Sequence, residues 1–491
     1  MKITLIQPYR PPTARVDADE HWQLTRPFSL FFLAASLEKY TNYRAEIVDL
    51  ELQEQRNSKR TSLENIFRAD SAQIFGITAT TFTRHEAINT ARVIKKLHPD
   101  ALLIVGGVHF MHCAKDTLSK IPEIDVVVRG EGERTIVELA QAFEQRVGFE
   151  SIEGITYREG QEIIRNPDRQ LIENLDVLPI YTKYSKADYP EYVFGYPEPV
   201  PAISVMSSRG CPYQCVFCSK AGQKYRCRSA KSVVDEIEAL KNRFNIQGVN
   251  FLDLTLTSNR KHLEELCQEM INRNLDVVWW CESRANIHLD LLDLMKEAGC
   301  VSIALGVESG SKRILSLAKK GITIDQVIKF CEKCEEIGIL AQPYFMFSLP
   351  GETEEDVRQT IDLIAKLDSI TQPCSFQPTM IFPGTVVELL AHEKGIIPKD
   401  FSWCDQYYSD LNVELDQFPN IPLFIDQLTP DSLKSLMREK KIRVGAQRAS
   451  TMGVKDLVKT AHRIFTHRRP LLIYFSPQFV WKFVKTKLNQ K

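Results

Sequence analysis

Three observations predict an α/β chain with an amino-terminal doubly wound parallel sheet, a partial (β/α)6 barrel and a mostly helical carboxyl-terminal cap. Over residues 1–150 short β-rich runs alternate with helical patterns. The alternation resumes at Ala202 after an irregular stretch, and it fades from about Phe401. Strands and helices at this spacing build parallel sheets covered by helices. The 491 residues exceed one ordinary domain. They divide into 1–150, a linker over 151–200, a barrel over 201–400, and a cap with a basic aromatic tail over 401–491.

In the first domain the strand candidates are KITLIQ, RAEIVDL (44–50), AQIFGIT (72–78), ALLIVGG (101–107) and DVVVRG (125–130). Between them lie RPFSLFFLAASLEKY, a segment around Leu63–Arg68, RHEAINTARVIKKL, a short piece near Ala114–Lys120 and RTIVELAQAFEQ. Such sheets bind ligands beyond the carboxyl ends of their strands. Those ends carry Thr78 to Thr81, then Gly106-Gly107-Val108-His109, then Arg129-Gly130-Glu131-Gly132-Glu133. Small and hydroxyl residues suit close backbone approach to a large ligand, which makes Thr80, Gly107 and Gly130 candidate contacts. Plain βα turns and helix caps would use the same residues.

Residues 151–200 hold a small hairpin around Glu159-Gly160 and a Pro- and Tyr-rich crossing from Leu178 to Pro201. The second alternation supplies AISVMSS, GVNFLDL (248–254), DVVWWCES (276–283), VSIALGVES (301–309), LAQPYFMFSL (340–349) and SFQPTMIF (375–382). Helical segments such as KHLEELCQEMINR and EEDVRQTIDLIAKL follow most of them. Six such units without a change of pattern fit a partial barrel, with its chemistry at the strands' carboxyl ends.

Composition narrows the function classes. With 44% hydrophobic and 25% charged residues the chain reads as globular and soluble, and a net charge of -1 argues against wholesale nucleic-acid binding. MKITLIQPY reads as a strand, without the plan of a signal peptide. No apolar run is long enough to span a bilayer, so a cytoplasmic protein is expected. Its twelve cysteines are then expected as thiols.

Three of those thiols cluster. SSRGCPYQCVFCSKAG sets Cys211, Cys215 and Cys218 at Cys-x-x-x-Cys-x-x-Cys spacing, with Gly210 and Pro212 making the turn and Gly222 releasing the chain. A loop folded back on itself can aim three thiolates at three corners of an iron–sulfur cube, leaving one iron without a protein ligand. Structural zinc wants four ligands. Cys227, nine residues on, is the nearest fourth, so the spacing alone leaves zinc open.

RGCPYQCVFC resembles the cluster-binding signature of the radical S-adenosylmethionine (SAM) superfamily. The resemblance extends over roughly 200–390: GVNFLDLTLT resembles the second-strand segment, GVESG the fourth-strand motif, and LPGET the loop after the fifth strand. It implies a [4Fe-4S] cluster on Cys211, Cys215 and Cys218. The open iron would chelate SAM, which one-electron reduction by a donor such as flavodoxin or ferredoxin cleaves to a 5′-deoxyadenosyl radical. It further implies that Glu308 and Ser309 contact the methionine or ribose part of SAM, although the pair also suits a helix start before SKRILSL. Arg284 lies where relatives place a polar cofactor or substrate contact; a surface ion pair is the alternative. Phe217, between two of the cysteines, reads as packing and an apolar shield. Asp253 resembles the first of an acidic pair whose second member is Leu254 here. Ser348 stands where many relatives have glycine.

The first domain resembles the cobalamin-binding branch that contains magnesium-protoporphyrin ester cyclases and radical methylases, most clearly at GGVH (106–109), RGEGE (129–133) and FPGT (382–385). That resemblance implies cobalamin as a further cofactor and methylation of an unactivated carbon in a small-molecule, lipid or pigment substrate. Ring formation is the alternative within the branch, and a non-catalytic iron–sulfur or zinc protein the alternative outside it. An Asp-x-His-x-x-Gly motif is missing, which implies cobalamin held without a protein imidazole; His109 is the counter-candidate, ahead of His85 and His112. The 401–491 cap is expected to close the barrel's open side. The tail from Arg468 mixes aromatic and basic residues and suits either an anionic membrane face or docking on the barrel.

Overall fold

The computed structural model describes residues 1–11, 27–57, 59–179, 193–194, 200–220, 222–415 and 417–451. The basic aromatic tail and most of the Pro- and Tyr-rich crossing lie outside the described residues. The chain forms two compact units. The first holds Met1–Ser283, Asp293–Ser302 and Met380–Phe424; the second holds Arg284–Leu292, Ile303–Thr379 and the described part of Ile425–Lys491.

In the first unit, β1 (Lys2–Gln7), β2 (Arg44–Asp49), β3 (Ile74–Thr78), β4 (Leu102–Gly106) and β5 (Val126–Val128) run parallel, and the hairpin β6 (Ile155–Glu159) and β7 (Glu162–Arg165) extends the sheet antiparallel. The order is β2-β1-β3-β4-β5-β6-β7, so connections reverse direction between β1 and β3. Alternate residues of each strand serve opposite faces. Ile3, Leu5, Leu102 and Ile104 pack with Leu30, Ala34, Leu37, Ile136 and Leu139. Ile6, Phe75, Leu103 and Val105 pack with Ala87, Ile88, Ala91 and Ile94. Both faces are thus covered, as a doubly wound sheet requires. Sequence reading missed the helix Leu50–Asn57, whose apolar residues are too sparse to show a period.

The first unit continues with β8 (Val193–Phe194), β9 (Val200–Val205), β10 (Ser208–Cys211), β11 (Gln223–Cys227), β12 (Gly248–Phe251) and β13 (Val278–Ser283). Strands β9, β12 and β13 are parallel neighbours, while β10 and β11 form a separate antiparallel pair. Ser229 and Asn259 cap the helices Ala230–Phe244 and Arg260–Asn272 by accepting N–H groups of their first turns.

β14 (Cys300–Glu308) starts in the first unit and ends in the second, where β15 (Leu340–Phe347) and β16 (Ser375–Pro378) follow as parallel neighbours. Ile303, Leu305 and Val307 are fully buried. Thr323 and Thr353 start the helices Ile324–Ile337 and Glu354–Leu367 with capping boxes. The long helix Pro430–Thr451 lies along Glu354–Leu367 through Arg358–Glu439 at 3.4 Å and Arg443–Asp362.

Within the first unit, the segment 401–424 packs against the doubly wound domain. Arg84 is fully buried and donates to the carbonyls of Thr81 (2.8 Å), Trp403 (3.0 Å) and Asn420 (2.5 Å). Asp116 accepts from Ser402 Oγ at 2.8 Å and from the Trp403 N–H at 3.1 Å. Phe82 packs on Phe382 and Phe418. These contacts bind the segment to the doubly wound domain.

Candidate functional site

The three clustered cysteines sit on the β10–β11 hairpin. Cys211 ends β10, and Cys215 and Cys218 lie in the loop it opens. Gly210 has φ +82°, and a Cβ there would run into the Lys224 carbonyl across the hairpin. The pairing slips between Arg209 and Cys211, a bulge that turns the strand end. Within the loop the Gly222 N–H donates to the Tyr213 carbonyl at 2.7 Å and Cys218 N–H to the Cys215 carbonyl at 3.1 Å. The Lys220 N–H donates to Cys218 Sγ at 3.4 Å, a kind of contact that tunes cluster sulfurs. The Val387 N–H, just past FPGT, donates to the Val216 carbonyl and braces the loop from outside. Phe217 is half-buried in this loop.

All twelve cysteines stand as thiols. Among the described residues no three His, Cys, Asp or Glu side chains converge to hold one metal ion. Zinc would need its sulfurs converged at about 2.3 Å from a single centre. A cube instead spreads three thiolates over three irons.

Beside the hairpin lies a cavity of about 700 Å³. Its floor is the carboxyl ends of the first sheet's strands: Ile77 and Thr78, Ile104 to Gly107, and Val128 to Glu133. Its other wall includes Met206, Arg209, Gly210, Lys220 and Arg226 from the hairpin region. Gly107 (φ +92°) and Gly130 (φ +79°) both line it, and at Gly130 the space where a Cβ would go has nothing within 4 Å. This broad apolar floor with a glycine cradle fits a large flat ligand. Thr80 is exposed and absent from the cavity wall; its N–H is taken by Thr83 Oγ1 at 3.1 Å. His109 is fully buried, 3.2 Å from Thr81 Oγ1 and edge-on to Phe110 and Trp403, and burial holds its pKa well below the usual value. It is a packing residue outside the wall. His112 does line the cavity, its ring against Gly384 of FPGT.

Four charges join cavity and hairpin: Glu131 and Glu133 of RGEGE, Arg209 of the cysteine motif, and Arg226, which no motif marked. Glu131 Oε1 lies 2.9 Å from Arg226 Nη2 and 3.1 Å from Arg209 Nη1, while Glu133 pairs with Arg209. Burial opposes ionisation of Glu131, yet the Arg226 hydrogen bond holds its pKa below the ordinary value. Asp253 is buried and accepts from the Ser207 N–H at 3.0 Å, Ser207 Oγ at 2.7 Å and Ser208 Oγ; Ser207 Oγ also meets His262 Nε2 at 3.0 Å. Asp253 therefore serves the turn into the hairpin. Cys281 is buried next to Cys267 of a flanking helix.

In the second unit Glu308 ends β14 at φ +73° and pairs with Lys320 Nζ at 2.8 Å, both buried. A Cβ at Gly306 would meet Lys320 Nζ at 2.7 Å and Glu308 Oε1 at 2.8 Å, so the pair lies close over that glycine. Lys320 went unnoticed in the sequence because its partner stands twelve residues away. Ser309 is buried against Thr360 Oγ1 at 3.2 Å and accepts the Ser311 N–H at 3.1 Å. The helix N-cap is Ser311, whose side chain accepts from the Ile314 N–H; the expected cap at Ser309 is two residues early. Arg284 is buried, not on the surface, with its guanidinium near Gly321. Ser348 has φ +62°, a left-handed backbone that favours glycine. Glu352 of LPGET is buried, accepts the Leu349 N–H at 3.0 Å, and is pushed up by burial to about 8.

Comparison with known proteins follows the same division. Residues 205–364 match the radical SAM superfamily model and residues 19–140 the B12 binding domain model. The chain is 32% identical over 389 residues to the uncharacterized methyltransferase PH0819 of Pyrococcus horikoshii, covering 78% of this chain and 82% of that protein. It is 31% identical to the anaerobic magnesium-protoporphyrin IX monomethyl ester cyclase of Rubrivivax gelatinosus over 58% of this chain, and spans only 53% of that protein. Its fold is similar to the radical SAM methyltransferase TsrM of Kitasatospora setae, with cobalamin and [4Fe-4S] cluster bound, at TM-score 0.68 and 22% identity, covering 80% and 78% of the two chains. The fold class is thus a doubly wound α/β domain followed by a partial barrel.

Proposed function

We propose, for a chain that belongs to the B12-binding branch of the radical SAM superfamily, that it methylates an unactivated carbon of a small-molecule substrate. The observation that carries this reading is the shared wall: one cavity is floored by the glycine-rich strand ends and closed by the cysteine hairpin. Cys211, Cys215 and Cys218 would hold a [4Fe-4S] cluster, the cavity cobalamin, and Glu308, Ser309 and Arg284 the SAM molecule. Bound there, these groups supply a 5′-deoxyadenosyl radical for hydrogen abstraction and a methyl group for the new carbon bond.

The chain's own residues prepare that chemistry. Gly210 fixes the direction in which Cys211 leaves β10. The Lys220 N–H steadies Cys218 Sγ. Leu5, Ile104, Val128 and Ile136 line part of the cavity with hydrocarbon. Lys320 holds the Glu308 carboxylate in one position. Electrons come from a small donor such as flavodoxin or ferredoxin, and no nucleic acid takes part.

No helix among the described residues is long and apolar enough to cross a membrane. Lipids and pigments stay among the substrates, with the tail from Arg468 as the peripheral membrane contact; sedimentation of a tail-truncated protein with anionic vesicles tests this. The cyclase relatives support ring formation as a second reading. Anaerobically reconstituted protein given methyl-labelled SAM and candidate substrates separates the two. Label in the product supports methyl transfer, and a new ring without label supports cyclisation.

A further inference from the structure

We propose that Glu131 and Glu133 form an ionic clamp that makes the cavity's ligand and the cysteine loop sense each other. Arg209 on β10 stands directly opposite Arg226 on β11. Like charges opposite each other across a two-stranded pair repel and splay it. Here the repulsion is neutralised from outside the hairpin, by the loop that follows β5. Glu131 reaches both guanidiniums, at 3.1 Å and 2.9 Å, and Glu133 takes the second fork of Arg209. Glu131 also accepts the Ile172 N–H at 2.8 Å, and Arg226 donates to the Ile172 carbonyl at 2.7 Å, so the incoming linker is tied to the same centre.

The position of this clamp gives it leverage. Only Gly210 separates Arg209 from Cys211, and both flanking residues are held in register on β11, Arg209 opposite Arg226 and Cys211 opposite Gln223. A rotation at Arg209 therefore moves Cys211. Glu131, Glu133, Arg209, Gly210 and Arg226 all line the cavity, so whatever fills it presses on the clamp. Two ligand sites that share one set of constrained residues are coupled, and the coupling is reciprocal. The clamp residues are positioning residues; none is assigned to the chemistry.

This inference rests on the proposed cofactors, and the experiment separates the two. Full-length protein, with and without its reconstituted cluster, is titrated anaerobically with hydroxocobalamin, and the cluster's midpoint potential is measured by spin resonance with and without cobalamin. Wild type is expected to bind hydroxocobalamin several-fold more tightly when the cluster is present, with a matching shift in potential on cobalamin binding. In Glu131→Gln the affinity ratio should fall to one. The potential should rise, because the Arg226 guanidinium, left without its carboxylate beside the loop, favours the reduced, more negative cluster. If Glu131→Gln loses its iron, Glu131→Gln/Arg226→Gln, which removes one positive charge with the carboxylate, is expected to recover it. An unchanged ratio and potential in Glu131→Gln, or equal iron loss in single and double variants, overturns the clamp. Equal affinity of wild type with and without the cluster overturns the coupling alone. A wild type that takes up no hydroxocobalamin overturns the proposed function as well, while the iron content and potential of the variants still decide the clamp.

Discussion

The cysteine hairpin and the GVES turn are both short strand-end segments assigned to cofactor contact, yet opposite forces hold them. Around the hairpin, two carboxylates and two guanidiniums meet at the edge of a cavity. Around Ser309 a hydrogen-bond network runs from Thr360 through Ser309 to Ser311 and the Asp356 carboxylate, with the ion pairs Lys320–Glu308 and Arg313–Asp356 beside it. A charged clamp can be moved by a ligand that shares its surroundings. A buried hydroxyl network is costly to rearrange, because each lost hydrogen bond leaves a polar group in a dry interior. The hairpin therefore reads as the adjustable element and the GVES turn as the fixed one.

The largest expected effect separates chemistry from scaffold. Changing Cys211, Cys215 and Cys218 together to alanine should remove all bound iron and all 5′-deoxyadenosine formation on reduction. The circular dichroism spectrum should stay near wild type, since Glu131 and Glu133 hold Arg209 and Arg226 together independently of the thiols. Stoichiometric zinc with no iron in the wild-type protein would contradict the cluster.

Next comes the fixed element. Glu308→Gln leaves Lys320 buried without its carboxylate, which should cost about 3–5 kcal/mol of stability as measured by urea unfolding. Glu308→Gln/Lys320→Met should regain much of that loss but not SAM affinity. Recovery of both by the double variant would make the pair purely structural and weaken the assignment of Glu308.

A smaller effect is written in pH. Burial raises the folded pKa of Glu352 from 4.5 to about 8. Between those values the folded state keeps a proton that the unfolded chain has lost. Its contribution to stability therefore falls as pH climbs from about 4.5 towards about 8, and levels off above. Urea unfolding at several pH values should show a slope in wild type that is shallower in Glu352→Gln. Equal slopes would show that Glu352 is ionised in the fold.

Much of this was legible in the sequence wherever a period or a fixed spacing carried the information. The alternation of LLIV in β4 between two helical layers follows from strand geometry, and the cysteine spacing survives any detail of loop conformation. The β10–β11 hairpin was not legible, because two arginines face each other across it and only the distant RGEGE loop makes that favourable. Nor was the docking of 401–424 on the first domain: Arg84 binds it through backbone carbonyls, which any sequence supplies. The N-cap fell at Ser311 because Ser309 was already engaged with Thr360. His112 outranks His109 at the cavity for a similar reason, since burial under Trp403 decides which ring is spent on packing.

The central claim is that the cavity beside the hairpin holds cobalamin, and a cavity-filling variant tests it most directly. At Gly106 the backbone is unstrained and a Cβ would meet only Val128, at 3.7 and 3.8 Å, so Gly106→Leu should fold while its side chain occupies the cavity. Hydroxocobalamin and iron are then counted per chain in anaerobically reconstituted protein. The account predicts one cobalamin and about four irons in wild type, and full iron with cobalamin lost or bound far more weakly in Gly106→Leu. Undiminished cobalamin binding by that variant would contradict it.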